Sequence, residues 1–235
     1  MDSNHHIRNC VLLVGASRGL GYALAAEFVK RDWDVIGTVR NRGRTPLHEL
    51  AERVPQRVHI EFLDVTCAEQ MTALRARVAG RRLNMLFVNA GVTNDPRETI
   101  GEVSTEEFVR VMVTNALGPM RAVELFCDLV VEGGLIGVMS SGQGSVTNNT
   151  NGQRELYRGS KAALNMFMRS FAARHAGDQR AMVLMAPGWV RTDLGGPDAR
   201  LTVEESIPNV VNTLLAAQAC PGLQYLDYLG RVVPW

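Results

Sequence analysis

Apolar residues along this chain come in two rhythms. Short, nearly unbroken runs appear at Val11–Val14, Trp33–Val39, Val58–Phe62, Leu83–Val88, Leu135–Met139 and Ala181–Met185, with a last one near Leu223–Leu229. Runs this short and rich in Val, Ile and Leu predict strands buried on both faces. Between them lie longer amphipathic stretches at about 19–31, 46–54, 68–79, 104–131, 155–176 and 203–217, which predict helices. Strand alternating with helix implies βαβ units. The expected fold is therefore α/β: a doubly wound parallel sheet of about seven strands with helices on both faces. No linker, repeat or low-complexity tract interrupts the pattern, so residues 1–235 are expected to form one domain, with 1–8 as a flexible N-terminus.

In such a sheet, ligands bind beyond the carboxyl ends of the strands. The chemistry-bearing residues fall there. The first strand runs into Gly15-Ala16-Ser17-Arg18-Gly19-Leu20-Gly21 and a helix follows. Glycines permit a tight turn and close backbone approach to a pyrophosphate, and the helix N-terminus offers free N–H groups to the anion. A turn of this kind also fits a simple packing role. After the second strand an acidic residue would bind a free ribose 2′-hydroxyl, whereas arginine accommodates a 2′-phosphate. This chain has Arg40 there, with Arg18 in the glycine loop expected to reach the same pocket; together they favour NADP(H). Further on, Tyr157 and Lys161 stand four residues apart at the start of an apolar helical run. That spacing puts them on one helix face, where the ammonium is expected to lower the phenol pKa and fit it for proton transfer.

Taken in order, these motifs resemble the short-chain dehydrogenase/reductase family over nearly the full length. The matching positions are Gly15, Gly19 and Gly21; Asp64-Val65 after the third strand; Asn89-Ala90-Gly91 after the fourth; Asn115; Ser141, Tyr157 and Lys161; and Pro187-Gly188-Trp189-Val190-Arg191-Thr192. The resemblance implies a Rossmann fold and hydride transfer between NADP(H) and a carbonyl or alcohol. It assigns the proton to Tyr157, the nicotinamide ribose to Lys161, the carbonyl oxygen to Ser141, and to Asn115 a water that connects Lys161 to solvent. Ser140 is a rival to Ser141 and is expected to face the cofactor instead. Asp64 and Val65 would face the adenine. Ser17, Leu20, Ala90, Pro187, Gly188, Val190 and Thr192 would complete the cofactor site, with Thr192 alternatively only a helix cap and Trp189 only core. Sixteen residues separate Ser141 from Tyr157, more than the family often has. The longer loop and the terminal Gly230–Trp235 resemble its C-factor/sniffer-like carbonyl reductase branch, with Pro234-Trp235 expected to be the native carboxyl end. Arg154-Glu155 departs from the glycines and aromatics that this branch often carries.

Composition excludes other classes. Lys and Arg number 25 against 24 Asp and Glu, with no basic run for nucleic acid. Cys10, Cys67, Cys127 and Cys220 are widely spaced, which argues against a disulfide framework or a metal site; Cys10 and Cys127 read as small core residues. No apolar run is long enough for a membrane span, no apolar signal region opens the chain, and a cytoplasmic protein is expected. His5-His6 could touch a metal but fits an idle terminus better. A non-catalytic NADP(H) sensor, or a dehydratase or epimerase on the same scaffold, are alternative functions. The substrate is a small carbonyl or alcohol in a pocket framed by 93–100, 142–155 and 193–201. There Arg97 and Arg154 are candidates to meet an anion, and also fit plain exposed loop positions. The helix at 155–176 is apolar on more than one face, which suits either a homodimer or a deeper core contact.

Overall fold

The computed structural model describes residues 8–235; His5, His6 and most of the N-terminal stretch lie outside the described residues. The apolar runs become β1 (Cys10–Val14), β2 (Asp34–Val39), β3 (Val58–Phe62), β4 (Leu83–Val88), β5 (Val130–Met139), β6 (Ala181–Ala186) and β7 (Gly222–Asp227). They form one sheet in the order β3-β2-β1-β4-β5-β6-β7, every neighbouring pair parallel. The helices are α1 (Gly19–Lys30), α2 (Pro46–Arg53), α3 (Ala68–Arg77), α4 (Thr105–Met112), α5 (Gly118–Phe126), α6 (Glu155–Arg174) and α7 (Val203–Ala217).

The two faces of the sheet follow from alternation along each strand. Leu12, Val14, Ile36, Leu86, Val88, Ile136, Met182 and Leu184 point to one side and pack with Leu74 of α3, Val123 and Phe126 of α5, and Leu164, Met168 and Phe171 of α6. Val11, Leu13, Val35, Met85, Phe87, Leu135 and Val183 point to the other and pack with Leu24 and Phe28 of α1, Leu47 of α2, and Val210 and Leu214 of α7. Continuous apolar strands are thus explained by cover on both faces. α6 meets the core through Leu164, Met168 and Phe171 yet leaves Met166 and Phe167 exposed, so its extra apolar residues are only partly accounted for inside the monomer.

One boundary differs from expectation. The helix expected over 104–131 ends at Phe126, passes through a single tight turn at Cys127–Leu129, and gives way to β5 at Val130. Val130 pairs with Leu83, the chain then bulges, and regular pairing resumes at Leu135 with Met85. Gly133, with φ near 72°, carries the bulge. Helix and strand share one apolar stretch, Leu125 to Val131, without a Gly or Pro between them, so periodicity gives no sign of the junction. Cys127 accordingly lies in the turn rather than in a helix, half-buried at its edge.

The helix is also interrupted within. Between α4 and α5, Val113–Leu117 form one π-helical turn centred on Asn115. Such a turn inserts an extra residue and re-aims the side chains around it, and it is common at functional sites.

Candidate functional site

A cleft of about 1240 Å³ runs along the carboxyl edge of the sheet, across the point between β1 and β4 where the strand order reverses. It is lined by Gly15, Ser17, Arg18, Gly19, Leu20, Arg40, Asp64, Val65, Asn89, Ala90, Gly91, Ser141, Tyr157, Lys161, Pro187, Gly188, Val190 and Thr192. Of the positions expected from sequence, only Gly21 and Asn115 stand behind its wall.

The glycine loop is shaped by close backbone approach. Gly15 has φ near 87°, and a Cβ there would lie 2.9 Å from the Ala90 backbone. A Cβ on Gly21 would come within 2.0 Å of the Gly15 carbonyl oxygen, so α1 can start against the loop only without a side chain. Thr38, a buried polar residue near the end of β2, accepts a hydrogen bond from the Gly15 N–H at 2.9 Å, and the Asn89 amide donates to the Gly15 carbonyl at 2.8 Å. Thr38 belongs to no motif; its one signal in the sequence is a hydroxyl within the apolar run Val35–Val39. These contacts leave a glycine cradle open to a phosphate-bearing ligand at the N-terminus of α1, with Arg40 exposed on the cleft after β2.

Arg18 behaves differently from expectation. Its guanidinium forms an ion pair with Asp193 across the cleft, rather than joining Arg40. Both side chains are largely exposed, so the pair is a weak one. Thr192 accepts from the Gly195 N–H at 3.1 Å and so braces the turn that carries Asp193; it caps no helix. Trp189 is 47% exposed rather than core, with its indole N–H donated to the Gly195 carbonyl.

The tyrosine end is built around α6. Tyr157 and Lys161 are both buried, 6% and 3% exposed, with the Lys161 Nζ 5.9 Å from the centre of the phenol ring. Lys161 donates to the Met139 carbonyl at 2.8 Å, at the end of β5. Ser141 follows β5 and its hydroxyl accepts from the Gln143 N–H at 3.1 Å. Ser140, expected to face the cofactor, lines the cleft, and its hydroxyl donates to Asn165 Oδ1 of α6 at 2.6 Å. Asn115 is fully buried. Its Oδ1 accepts from the Val92 N–H at 2.8 Å, and its Nδ2 donates to the Val92 carbonyl at 2.8 Å and to Ser160 Oγ at 2.9 Å. Ser160 in turn donates to the Tyr157 carbonyl at 2.7 Å. Asn115 therefore reaches α6 through Ser160, a residue the sequence reading passed over. Its position one before Lys161, on the helix face turned to the core, was the available signal.

The electrostatics correct one expectation. The phenol of Tyr157 is not lowered by its lysine. Burial pushes it above its ordinary value of 10, while the Ser141 hydroxyl and the charge of Arg154 pull the other way. Burial also drives Lys161 down from 10.5 to about 8. Removing both groups from water favours their neutral forms, and here that outweighs the partners. Tyr157 thus holds its proton at neutral pH.

Among the described residues, no helix is long and apolar enough to cross a membrane, and no group of His, Cys, Asp and Glu gathers as a metal site. All four cysteines are free thiols.

The Lys161 shift has a consequence for stability. Below pH 8 the ammonium is charged in both folded and unfolded chains, so its burial penalty is fully present. Between pH 8 and 10.5 the folded protein releases the proton first, and stability rises. Relative to Lys161→Met, the unliganded wild type should gain about 1.4 kcal/mol per pH unit over that window. Urea unfolding of both proteins at pH 7, 8, 9 and 10 reads the difference; a constant gap would show that Lys161 titrates as an ordinary exposed lysine.

Comparison with known proteins agrees with this geometry. The family profile for short chain dehydrogenases matches residues 9–200. A structure from Burkholderia multivorans, named as a short-chain dehydrogenase/reductase and solved with bound NADP, is 67% identical, covers 97% of this chain and 100% of its own, and superposes with a TM-score of 0.96. A carbonyl reductase from Pseudomonas aeruginosa PAO1 in complex with NADP is 33% identical, with 97% and 100% coverage and a TM-score of 0.90. The C-signal protein of Myxococcus xanthus is 34% identical over 167 residues, 70% of this chain and 100% of that protein. With a glycine cradle suited to NADP(H), a seven-stranded Rossmann sheet and these relatives, the chain belongs to the short-chain dehydrogenase/reductase family of NADP-dependent oxidoreductases.

Proposed function

We propose that this protein reduces a small-molecule carbonyl to an alcohol with NADPH, and that Tyr157 is the general acid. The observation that carries this reading is a buried phenol, neutral at neutral pH, beside the Ser141 hydroxyl and one helical turn from Lys161 in the cofactor cleft. NADPH, when bound, supplies the hydride and the reducing electrons. The chain's part is to position, to exclude water and to supply a proton. Ser141 and Tyr157 offer hydroxyls to the carbonyl oxygen, which gains negative charge as the reaction proceeds; donors fixed in place stabilise that charge without reorganising. Tyr157 then gives its proton to the oxygen. Its raised pKa keeps it protonated until a strong enough base forms beside it. Lys161, held at the end of β5 by the Met139 carbonyl, would bind the nicotinamide ribose. Asn115 fixes α6 through Ser160 and so sets the position of both catalytic side chains. Arg40 supports a preference for the 2′-phosphate of NADPH over the bare ribose of NADH.

The exposed apolar residues Met166 and Phe167 of α6, with Phe108 and Val109 on the adjoining α4, support pairing of two copies through these helices.

Tyr157→Phe should lower kcat by about 10²–10⁴-fold while leaving NADPH affinity nearly intact, because only the acid is lost. Fluorescence titration of NADPH and turnover of an aldehyde and ketone panel separate the two effects; near-native turnover would place the proton elsewhere. Arg40→Asp should raise the KM for NADPH about tenfold or more with little change for NADH; a preserved ratio of the two would remove Arg40 from cofactor selection. Sedimentation equilibrium should give twice the chain mass, and Met166→Glu should shift it toward the monomer; a monomeric wild type rules the pairing out.

A further inference from the structure

Six arginines line the cleft, and four of them are already engaged. Arg18 pairs with Asp193, Arg110 with Glu107 and Arg231 with Asp227, and Arg191 donates to the Ala199 carbonyl. The two whose side chains have no hydrogen-bond or ion-pair partner among the described residues are Arg40 and Arg154. Arg40 stands at the end of β2, where the cofactor's 2′-phosphate accounts for it. Arg154 stands at the opposite end, three residues before Tyr157 and near enough for its charge to act on the phenol.

Arg154 is also held in a costly conformation. It is the residue before α6, with φ 56° and ψ 43°, and it makes no side-chain cap to the helix it precedes. Besides Arg154, only Asp32 among the described non-glycine residues has positive φ. Side chains rarely adopt this region, and such strain persists where surroundings enforce it, often at ligand sites. Here the neighbours do enforce it. Behind it, Arg158 donates to the Gln153 carbonyl at 2.6 Å and to Asn151 Oδ1 at 2.8 Å, which ties down the preceding loop. Ahead of it, Glu155 accepts the Ile100 N–H at 2.9 Å and so faces away, pinning the 93–100 loop. The adjacent carboxylate is therefore not the arginine's partner. Arg97, the other candidate for an anion, is bound through Nε and Nη2 to the Asp95 carboxylate and drops out.

From this geometry we infer that Arg154 is a substrate-binding residue that selects carbonyl compounds carrying a carboxylate, so that the enzyme's preferred substrates are oxo acids. The inference rests on the reductase reading above. The guanidinium fork matches a carboxylate with two parallel hydrogen bonds, and a half-buried, unpaired cation beside the reacting group gives that match more weight than it would have in open water. The acid group stays unchanged in the reaction. The carbonyl carbon takes the hydride of NADPH, which is oxidised to NADP⁺, and the carbonyl oxygen takes the proton of Tyr157, giving a hydroxy acid.

The test compares 2-, 3- and 4-oxopentanoate with their methyl esters, which keep the ketone and lose the charge. With NADPH, the wild type should prefer at least one acid over its ester in kcat/KM by about tenfold, the worth of one charge-assisted pair. Arg154→Gln should remove that preference, and Arg154→Lys should restore part of it. Ester preference across the whole series, or an acid preference that survives Arg154→Gln, overturns the inference. Arg154→Asn, which tolerates the left-handed conformation, guards against misfolding and should lose the preference in the same way. If no ketone in either series is reduced, the reductase reading fails instead. Calorimetric binding of the same oxo acids to the NADPH complex then decides the arginine's role: binding lost in Arg154→Gln supports it, and binding absent or retained overturns it.

Discussion

Asn115 makes three hydrogen bonds from a side chain with no solvent exposure, two to the backbone of Val92 and one to Ser160. Through them the π-helical turn between α4 and α5, the loop after β4 and the first turns of α6 become one unit. The rest of the carboxyl edge depends on that unit. Val92 follows Asn89-Ala90-Gly91, whose Asn89 in turn holds the glycine loop through Gly15. Ser160 is bonded to the carbonyl of Tyr157 and adjoins Lys161. A residue without these groups would leave the partly buried N–H and C=O of Val92 without their partner, at a cost of up to about 1–3 kcal/mol each. The cost would fall first on the relative placement of the cofactor loops and the tyrosine. A regular α-helix would turn the Asn115 side chain to a different angle, so the π turn is the backbone condition for the network.

Burial and charge pull against each other at the active end of α6. A lysine in water would remain charged well past pH 10, and a phenol beside it would be expected to ionise early. Inside this fold desolvation dominates both, and each group moves toward neutrality. The pair reads better as a reserve of one well-held proton than as a phenolate stabilised by an ammonium. That suits the proposed role, in which Tyr157 delivers a proton to an oxygen becoming basic. It also means that groups which change the charge near Tyr157, rather than Lys161 alone, set how strongly it holds that proton.

Periodicity was enough to read the fold, because a doubly wound sheet hides every strand and so writes each as an apolar run. It failed where two elements share one apolar stretch, at Leu125–Val131, since periodicity cannot place a junction without a Gly or Pro. Motif order was enough to identify the cleft: Gly15, Asn89, Ser141, Tyr157 and Lys161 all converge at one edge. Contacts made by polar side chains to partners far off in the sequence were not legible. Arg18 turned to Asp193, Ser140 to Asn165 and Asn115 to Val92, each a choice decided by which acceptor the fold brings within reach. Thr38 and Ser160 escape for the same reason: each meets a partner, Gly15 or Asn115, more than twenty residues away in the sequence.

The loop between Ser141 and Tyr157 gains a physical meaning from its last two residues. Glu155 ties it to the 93–100 loop, so the extra length is anchored rather than slack. That anchor presents Arg154 to the cleft in a backbone conformation the residue would not choose alone. The unpaired guanidinium is one of two influences that pull the Tyr157 phenol downward; the other is Ser141. A carboxylate bound to Arg154 would cancel its charge and leave the phenol holding its proton more firmly until the reacting oxygen itself becomes basic. Binding and proton delivery would then be linked: the substrate that fits the arginine also sets the acid. A neutral ketone in the same cleft would leave Arg154 uncompensated and the phenol more easily ionised. Selectivity for the acid would therefore rest on KM: Tyr157 is protonated at neutral pH with either substrate, and a firmer hold on the proton makes the phenol a weaker acid, not a faster one.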